Sequence, residues 1–143
     1  MSFTYHYPHM AVTADAVILT RSQPRKVLLV QRGGPPFKGM WAIPGGYVDL
    51  DERIETAAAR ELAEETGLRI GALRFLGYFD AVDRDPRERT LSLAFWGMVA
   101  DEHASPLAAG DDAKALGWHL VGRLPAMAFD HAEILRAAIE AAA

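Results

Sequence analysis

One helix-forming segment restricts the fold of this chain more than any other feature. Residues Ile54 to Thr66 are rich in Ala, Glu, Leu and Arg, which favour helix, and Gly67 follows where a glycine commonly ends one. Pro44, Gly45 and Gly46 break the chain ahead of it. The segment therefore predicts a helix with firm ends that must pack one face against the rest of the molecule.

This helix is predicted to carry three carboxylates on one face. Successive residues turn by about 100°, so Glu64 and Glu65 lie at about 300° and 40° from Glu61. We expect small apolar residues on the other side, close to a sheet: Ala58, Ala59, Leu62 and Ala63. Like charges at this spacing destabilise a helix by a few tenths of a kcal/mol, and a divalent cation would reverse that effect. A solvated acidic face is the ordinary alternative.

The donor chemistry of this face favours particular ions. Carboxylate oxygens with no His or Cys among them favour Mg²⁺, or Mn²⁺, over zinc. Arg60, four residues before Glu64, can hold one carboxylate by a charged hydrogen bond. The cation prediction thus depends on the residue types and on their spacing.

The charge distribution isolates the same region. The net charge of the chain is −4, yet Gly46 to Leu68 alone carries seven acids and two bases. The other residues together are nearly neutral, with twelve acids and thirteen bases. The sequence has no stripe of Lys and Arg residues that would indicate a nucleic-acid-binding face.

Length and composition narrow the class of protein. A chain of 143 residues fits one domain, and we expect 1–143 to be that domain. The absence of cysteine excludes disulfides, zinc–thiolate sites and thiol nucleophiles. Neither a membrane span nor a signal peptide is indicated, so we expect a soluble, cytoplasmic protein.

The order of predicted elements is mixed. Strands are predicted at five places: Ala11–Thr20, Lys26–Gln31, Arg74–Asp80, Thr90–Ala100 and Gly117–Leu120. Residues 101–114 have loop composition. A second helix is predicted from His131, with Asp130 as N-cap and Glu133 completing a variant of the capping box. This order predicts an α/β sandwich.

The acidic segment resembles a known family motif. It runs Gly46, five residues, Glu52, seven residues, Arg60-Glu61-Leu62, one residue, Glu64-Glu65, one residue, Gly67-Leu68. Every fixed position of the Nudix box is matched over residues 46–68. The resemblance implies the Nudix α/β/α sandwich with a mixed sheet, and metal-dependent hydrolysis of a nucleoside diphosphate linked to another moiety.

The resemblance also implies roles for individual residues. The metal ligands would be Glu61, Glu64, Glu65 and the carbonyl of Gly45. Glu52 and Arg60 would be the orienting pair, so Glu52, Arg60 and Glu64 form the predicted catalytic set.

Arginines are expected to bind the non-bridging oxygens of a diphosphate, because a guanidinium matches their geometry. The candidates are Arg32 after the second strand, and Arg84 and Arg87 in the charged connector. Each is also explained as ordinary surface charge.

Further segments are similar to prokaryotic ADP-ribose pyrophosphatases, which yield AMP and ribose 5-phosphate. They include Pro36 to Gly46, Asp83 to Arg87, and Ala109 to Ala113. One departure is Ala115, where relatives usually have a glutamate. If that glutamate assists catalysis, the general base here is expected to be Asp111, Asp112 or Glu64.

Two other functions remain open: a hydrolase of modified nucleoside triphosphates, and a sensor that binds ADP-ribose without cleaving it. The resemblance also implies a homodimer. Phe3, Tyr5 and Tyr7 alternate with polar residues, a pattern that favours a partner surface or a strand within the chain's own sheet. The run Phe129-Asp130-His131 is expected to serve mainly as a helix cap, with stacking by Phe129 on a base as the alternative.

Overall fold

The computed structural model describes residues 2–110 and 113–143, apart from the side chain of Lys114. Its elements, in chain order, are β1 (Ala11–Thr20), β2 (Lys26–Arg32), β3 (Trp41–Ala42), β4 (Gly45–Tyr47), α1 (Ile54–Thr66), β5 (Arg74–Phe79), β6 (Thr90–Val99), β7 (Ala113–Leu120) and α2 (His131–Ala142). Both helices and five strands lie where the sequence predicts them. Neither helix of the described residues has both the length and the apolar character needed to cross a membrane.

Two predictions about strands are wrong. The break at Gly45–Gly46 is in fact part of β4, which forms because β1 supplies its hydrogen-bond partners. The predicted loop over 101–114 ends early, since β7 already begins at Ala113 and pairs there with Arg32 of β2. In both places pairing with a neighbouring strand, rather than local composition, decides the structure.

Within the described residues, seven strands form one mixed sheet in the order β3-β2-β1-β6-β5, with β4 on β1 and β7 on β2. The pair β1–β6 is parallel, and the other pairs between strands are antiparallel. β1 therefore lies at the centre of the sheet, as its nearly continuous apolar run requires.

The two helices cover opposite faces of this sheet. Side chains alternate along a strand, and the odd-numbered Val17 and Leu19 pack with Ile134 and Leu135 of α2. The even-numbered residues of the same strand pack with α1 instead: Ala16 and Ile18 lie in the cluster that contains Leu62. This confirms the α/β/α sandwich.

The buried face of α1 differs from the predicted one. Its buried residues are Ala57, Ala58, Leu62 and Thr66, whereas Ala59 is exposed and Ala63 half-buried. On the helical wheel, Ala58 lies only about 20° from Glu65. The acidic arc therefore adjoins the packed face, and α1 turns its carboxylates toward the edge of the sheet.

β1 changes its antiparallel partner along its length. Thr13 to Asp15 pair with β4, whereas Leu19 pairs with β2. A cleft lies beside this change of partner, and its walls include Asp15, residues from the ends of β2 and β4, and the carboxylates of α1. The fold thereby places the box residues beside the end of β2.

Candidate active site

The backbone of β4 lies directly against the acidic face of α1. A Cβ built on Gly46 would lie 2.6 Å from Cδ of Glu61, and one on Gly45 would lie 2.5 Å from the Ala14 carbonyl and overlap the Asp15 carboxylate. Contacts below about 3 Å are not available to a real Cβ. At Gly45 the obstacle includes the backbone of β1, so only glycine fits there, whereas at Gly46 it is the end of the Glu61 side chain, which would have to move. The two glycines bring a backbone carbonyl and the carboxylates into one small space.

Arg60 holds the carboxylates on the outer side of this space. Its Nη2 and Nε donate to Glu52 at 2.7 and 3.0 Å, and its Nη1 donates to Glu61 at 2.9 Å and to Glu64 at 3.1 Å. Nη2 also donates to the Tyr47 carbonyl at 3.1 Å. The hydrogen bonds from Arg60 lower the pKa of Glu52 to about 2. Glu52 and Arg60, predicted as the orienting pair, are thus in direct two-point contact.

Glu65 is the most deeply placed carboxyl of the helix. Burial, followed by the charge of Glu61 and a hydrogen bond to it, raises the pKa of Glu65 well above its usual range, while the Gly45 N–H opposes this shift. The buried Asp15 accepts a hydrogen bond from Ser92, and burial raises its pKa to about 6. Negative charge is therefore crowded at this point of the cleft.

The predicted metal ligands are brought together only in part. Glu61 is close enough to raise the pKa of Glu65, whereas the Glu64 side chain is 59% exposed and turned to Arg60. Across residues 2–110 and 113–143, no three His, Asp or Glu side chains converge closely enough to hold an ion as they stand. The Arg60 guanidinium, which donates to both Glu61 and Glu64, reduces the repulsion between these two carboxylates.

The donor set nevertheless fits a divalent cation. Every candidate ligand is a carboxylate or carbonyl oxygen, the type that Mg²⁺ and Mn²⁺ prefer. Glu61 is already beside Gly46, and the exposed Glu64 would have to turn away from Arg60 to join it. A cation would also stabilise Glu65 in its charged form.

Two of the arginines predicted to bind substrate, Arg32 and Arg87, lie near the ring of Phe129 in the cleft. Arg87 is held by Asp85 through bonds of 3.0 and 2.8 Å, and its guanidinium lies 5.6 Å from the ring centres of both Tyr47 and Phe129. Arg32 lies 5.0 Å from the Phe129 ring. Burial, followed by the charge of Arg87, lowers the pKa of Arg32. Two cations near one ring repel each other and would be stabilised by a shared anion.

Arg84, the third predicted arginine, has a different role. Its side chain is 3% exposed and donates to Asp130 through bonds of 2.9 and 2.6 Å. Asp130 consequently makes no side-chain cap on α2, so the predicted capping box is wrong. Instead, the Asp130 carboxylate accepts hydrogen bonds from Arg84 and so links the connector after β5 to the start of α2.

The sequence analysis did not assign Asp15 or His131 to the cleft, and it gave a binding role for Phe129 only as an alternative. Asp15 interrupts the apolar run of β1, and this polar residue could have identified it. Phe129 has φ of 52°, a strained value for a non-glycine residue, and such strain often marks functional sites. His131 is buried at the start of α2 and lines the cleft. No local sequence pattern distinguishes His131 from an ordinary core histidine.

A family model described as NUDIX domain matches residues 10–138. The chain belongs to the Nudix family. This places it among the Nudix pyrophosphohydrolases, in agreement with the complete box at 46–68.

Relatives of this Nudix chain include enzymes and ligand complexes. The ADP-ribose pyrophosphatase of Methanocaldococcus jannaschii is 41% identical over 130 residues, which are 91% of this chain and 73% of that protein. The Nudix domain of Shewanella oneidensis NrtR, solved in complex with ADP ribose, has a TM-score of 0.86 at 28% identity, over 96% of this chain and 91% of that one.

A third relative carries a metal ion. It is a bifunctional NMN adenylyltransferase/ADP ribose pyrophosphatase from Francisella tularensis, solved with AMP and a Mn ion. The TM-score is 0.86 at 31% identity, over 97% of this chain but only 44% of that one. This Nudix chain therefore corresponds to less than half of that protein.

The Nudix box maps onto three parts of the structure: β4, the turn that contains Glu52, and α1. Ala115 lies on β7 opposite Gln31. Asp111 and Asp112, the predicted alternatives for the general base, lie outside the described residues. Gly110, which precedes them, donates its N–H to the Glu65 carbonyl at 3.1 Å.

Proposed function

We propose that this chain hydrolyses the diphosphate of ADP-ribose to AMP and ribose 5-phosphate with the aid of Mg²⁺, for which Mn²⁺ can substitute. The observation that carries the proposal is the contact of Glu61 and Glu65 with β4, in one cleft with Arg32 and Arg87. The names of the Methanocaldococcus and Shewanella relatives support ADP-ribose as the ligand.

Glu61, Glu64, Glu65 and the Gly45 carbonyl would hold the cation. When bound, it offsets the negative charge of the diphosphate and makes an attacking water more acidic. Arg60 keeps Glu61 and Glu64 in place, and its two bonds to Glu52 fix the orientation of the guanidinium.

Arg87 and Arg32 bind the diphosphate in this proposal. Asp85 and two aromatic rings already fix Arg87, so little conformational freedom is lost when it meets an oxyanion. Arg84 positions α2 through Asp130 and borders the same cleft. Substrate would thus be held between fixed cations and the acidic face.

A general base must reach the attacking water directly or through one bridging water, which Ala115 cannot do. Glu64 is exposed and able to turn toward the cleft, so it is our first candidate. Asp111 and Asp112 remain the alternatives.

A second candidate function is binding of ADP-ribose without cleavage. The ADP ribose complex of the Shewanella Nudix domain favours this possibility. Hydrolysis of a modified nucleoside triphosphate is the third, because the box alone does not select the group attached to the diphosphate.

The decisive experiment is a substrate panel with Mg²⁺, in which products are identified by chromatography. It should contain ADP-ribose, other nucleoside diphosphate sugars, and an oxidised deoxyguanosine triphosphate. We expect AMP and ribose 5-phosphate as the main products. Calorimetric binding of ADP-ribose without turnover would support the sensor instead, and preferred cleavage of the triphosphate would contradict the proposed substrate.

We also propose that the protein is a homodimer. Phe3, Tyr5 and Tyr7 are 59%, 51% and 79% exposed, and residues 2–10 form no strand with the sheet. Pairing within the chain's own sheet is therefore wrong as an explanation of their alternation. Exposed aromatics at this density favour a protein partner surface.

A further inference from the structure

His131 is a buried histidine with one ring nitrogen already engaged. Its side chain lies at the start of α2, and the residue is 6% exposed. Its Nδ1 accepts the backbone N–H of Ile43 at 2.9 Å. Ile43 lies in the segment that leads from β3 to β4 and so to Gly45.

This hydrogen bond fixes the tautomer of the ring. An N–H donor at Nδ1 requires a lone pair there, so the proton of the neutral ring is carried by Nε2. Burial, and next the charge of Arg84, lower the pKa of His131 to about 4. The ring is therefore an uncharged donor in neutral solution.

The other edge of the ring has no partner in the described part of the chain. Among the described residues, Nδ1 has a hydrogen-bond partner and Nε2 has none. The fully buried side-chain atoms without a partner there are Nε of Arg25 and Nε1 of Trp118, so Nε2 of His131 does not belong to that group. His131 borders the cleft together with Arg32, Arg84 and Phe129. The unpartnered Nε2–H therefore belongs to a residue that borders the cleft beside two arginines.

We propose that His131 is a substrate-binding residue whose Nε2–H donates a hydrogen bond to a non-bridging oxygen of the diphosphate, while its Nδ1 holds the Ile43 backbone. This inference rests on the proposed function, because it needs a diphosphate in the cleft. A neutral donor suits this place, since another cation beside Arg32 and Arg84 would add repulsion.

Rigidity supports the assignment. Asp130, the preceding residue, is held by Arg84 through two hydrogen bonds, and the Phe129 ring lies 5.3 Å from the imidazole. With its backbone and one nitrogen fixed, the ring presents Nε2 without loss of rotamer freedom.

Two substitutions of His131 test the roles of its two ring nitrogens separately. The side-chain amide of Asn can reach the position of Nδ1 but not that of Nε2, whereas Gln has the reverse reach. If Nε2 binds substrate, His131→Asn should fold normally and raise KM for ADP-ribose about 10-fold or more, the usual effect of one lost hydrogen bond to a charged group. His131→Gln should keep KM nearer to wild type and lower Tm instead. His103→Asn, at a side chain that is 86% exposed, is the matched control.

A KM for His131→Asn within twofold of wild type would overturn the proposal, and so would equal increases in KM for both variants. The reverse order, with Gln more impaired in KM than Asn, would show that the ring acts only through Ile43. Absence of turnover by the wild-type protein bears instead on the proposed function.

A second measurement does not depend on turnover. Long-range ¹H–¹⁵N NMR spectra of the full chain report which ring nitrogen of His131 carries the proton. We expect the proton on Nε2. We also expect the Nε2 resonance to shift when inorganic pyrophosphate and Mg²⁺ are added until the side-chain signals of Arg87 no longer change. A proton on Nδ1, or an unmoved Nε2 resonance at saturation, would contradict the proposal.

Discussion

Glu65 of α1 lies against β4, in surroundings that disfavour its charged form. Burial and the adjacent Glu61 both oppose its ionisation, whereas a cation between it and β4 would favour the charged form. The group is therefore unfavourable for the isolated chain and favourable only in a loaded site.

We expect Glu65→Gln to lower Mg²⁺-dependent hydrolysis by orders of magnitude while Tm is retained or increased. The neutral amide removes a metal ligand, and it also removes the carboxylate repulsion within the pair. Steady-state kinetics and thermal unfolding measure the two effects. Glu55→Gln is the control, because Glu55 lies on the same helix with a side chain that is 70% exposed. Near-normal turnover by Glu65→Gln would contradict the ligand assignment.

The general base can be tested by a pair of variants under saturating metal. If Glu64 activates the water, Glu64→Gln should reduce kcat strongly and Asp112→Asn should not. The opposite result would assign the base to the segment after Gly110. Full kcat in both variants would mean that neither carboxylate acts as the base.

His131 also makes stability depend on pH. Its pKa is about 4 in the folded protein against 6.5 for a free histidine, so the unfolded chain binds the proton more tightly. The contribution is fully present above pH 6.5 and is lost as pH falls toward 4, by about 3 kcal/mol in all. Arg84 and Arg32 oppose protonation and Asp130 favours it, while Asp15, with its raised pKa, has the opposite pH dependence.

Urea unfolding at pH 7, 6 and 5 measures this effect. The stability advantage of wild type over His131→Asn should shrink by about 2 kcal/mol between pH 7 and 5. Parallel curves for the two proteins would show that the ring is not held neutral.

At this scale the sequence predicts the residues of α1 well and the rest of the cleft poorly. Glu61, Glu64 and Arg60 are close in sequence, so helical spacing alone places them together. Asp15 and His131 become neighbours of the site only when distant strands and α2 are assembled. Asp130 is the N-cap residue of α2, as predicted, but its carboxylate makes no capping hydrogen bond because it is engaged by a distant arginine, Arg84.

At the scale of elements, the junction of β4 with α1 determines the geometry of the site. β4 is a glycine-rich strand with no side-chain alternation, so sequence patterns predict a break there. It becomes a strand because β1 provides its pairing, while β1 at Gly45 and the Glu61 side chain at Gly46 occupy the space that a Cβ would need. The helix itself is predictable, whereas its rotation toward the sheet edge depends on packing by Ala57 and Thr66.

Gly46→Ala tests this junction. The new Cβ would meet the end of the Glu61 side chain, which can move, so the fold should survive with a Tm a few degrees lower at most. The displaced carboxylate should shift the Mg²⁺ dependence of turnover to about 10-fold or higher concentrations. Gly122→Ala is the control, since nothing lies within 4 Å of its Cβ position. An unchanged Mg²⁺ dependence in Gly46→Ala would contradict the assigned contact.

At the scale of the whole molecule, the exposed aromatic segment predicts association. Light scattering at micromolar concentration should give the mass of a dimer. Deletion of residues 1–7 should weaken the dimer and raise KM for ADP-ribose. A monomeric full-length chain would contradict the first expectation, and an unchanged KM in the shortened chain would contradict the second.

The parallel pairing of β1 with β6 joins Ala11 to Thr90 and Thr20 to Val99. No local hairpin can form the centre of this sheet, because most of the chain must be present before its two central strands can meet. Contacts of such long sequence separation slow folding. During synthesis, α1 leaves the ribosome well before β6, so its carboxylates stay hydrated until the sheet closes beneath them. The central pairing of the sheet that supports α1 is consequently completed only after β6 has been synthesised.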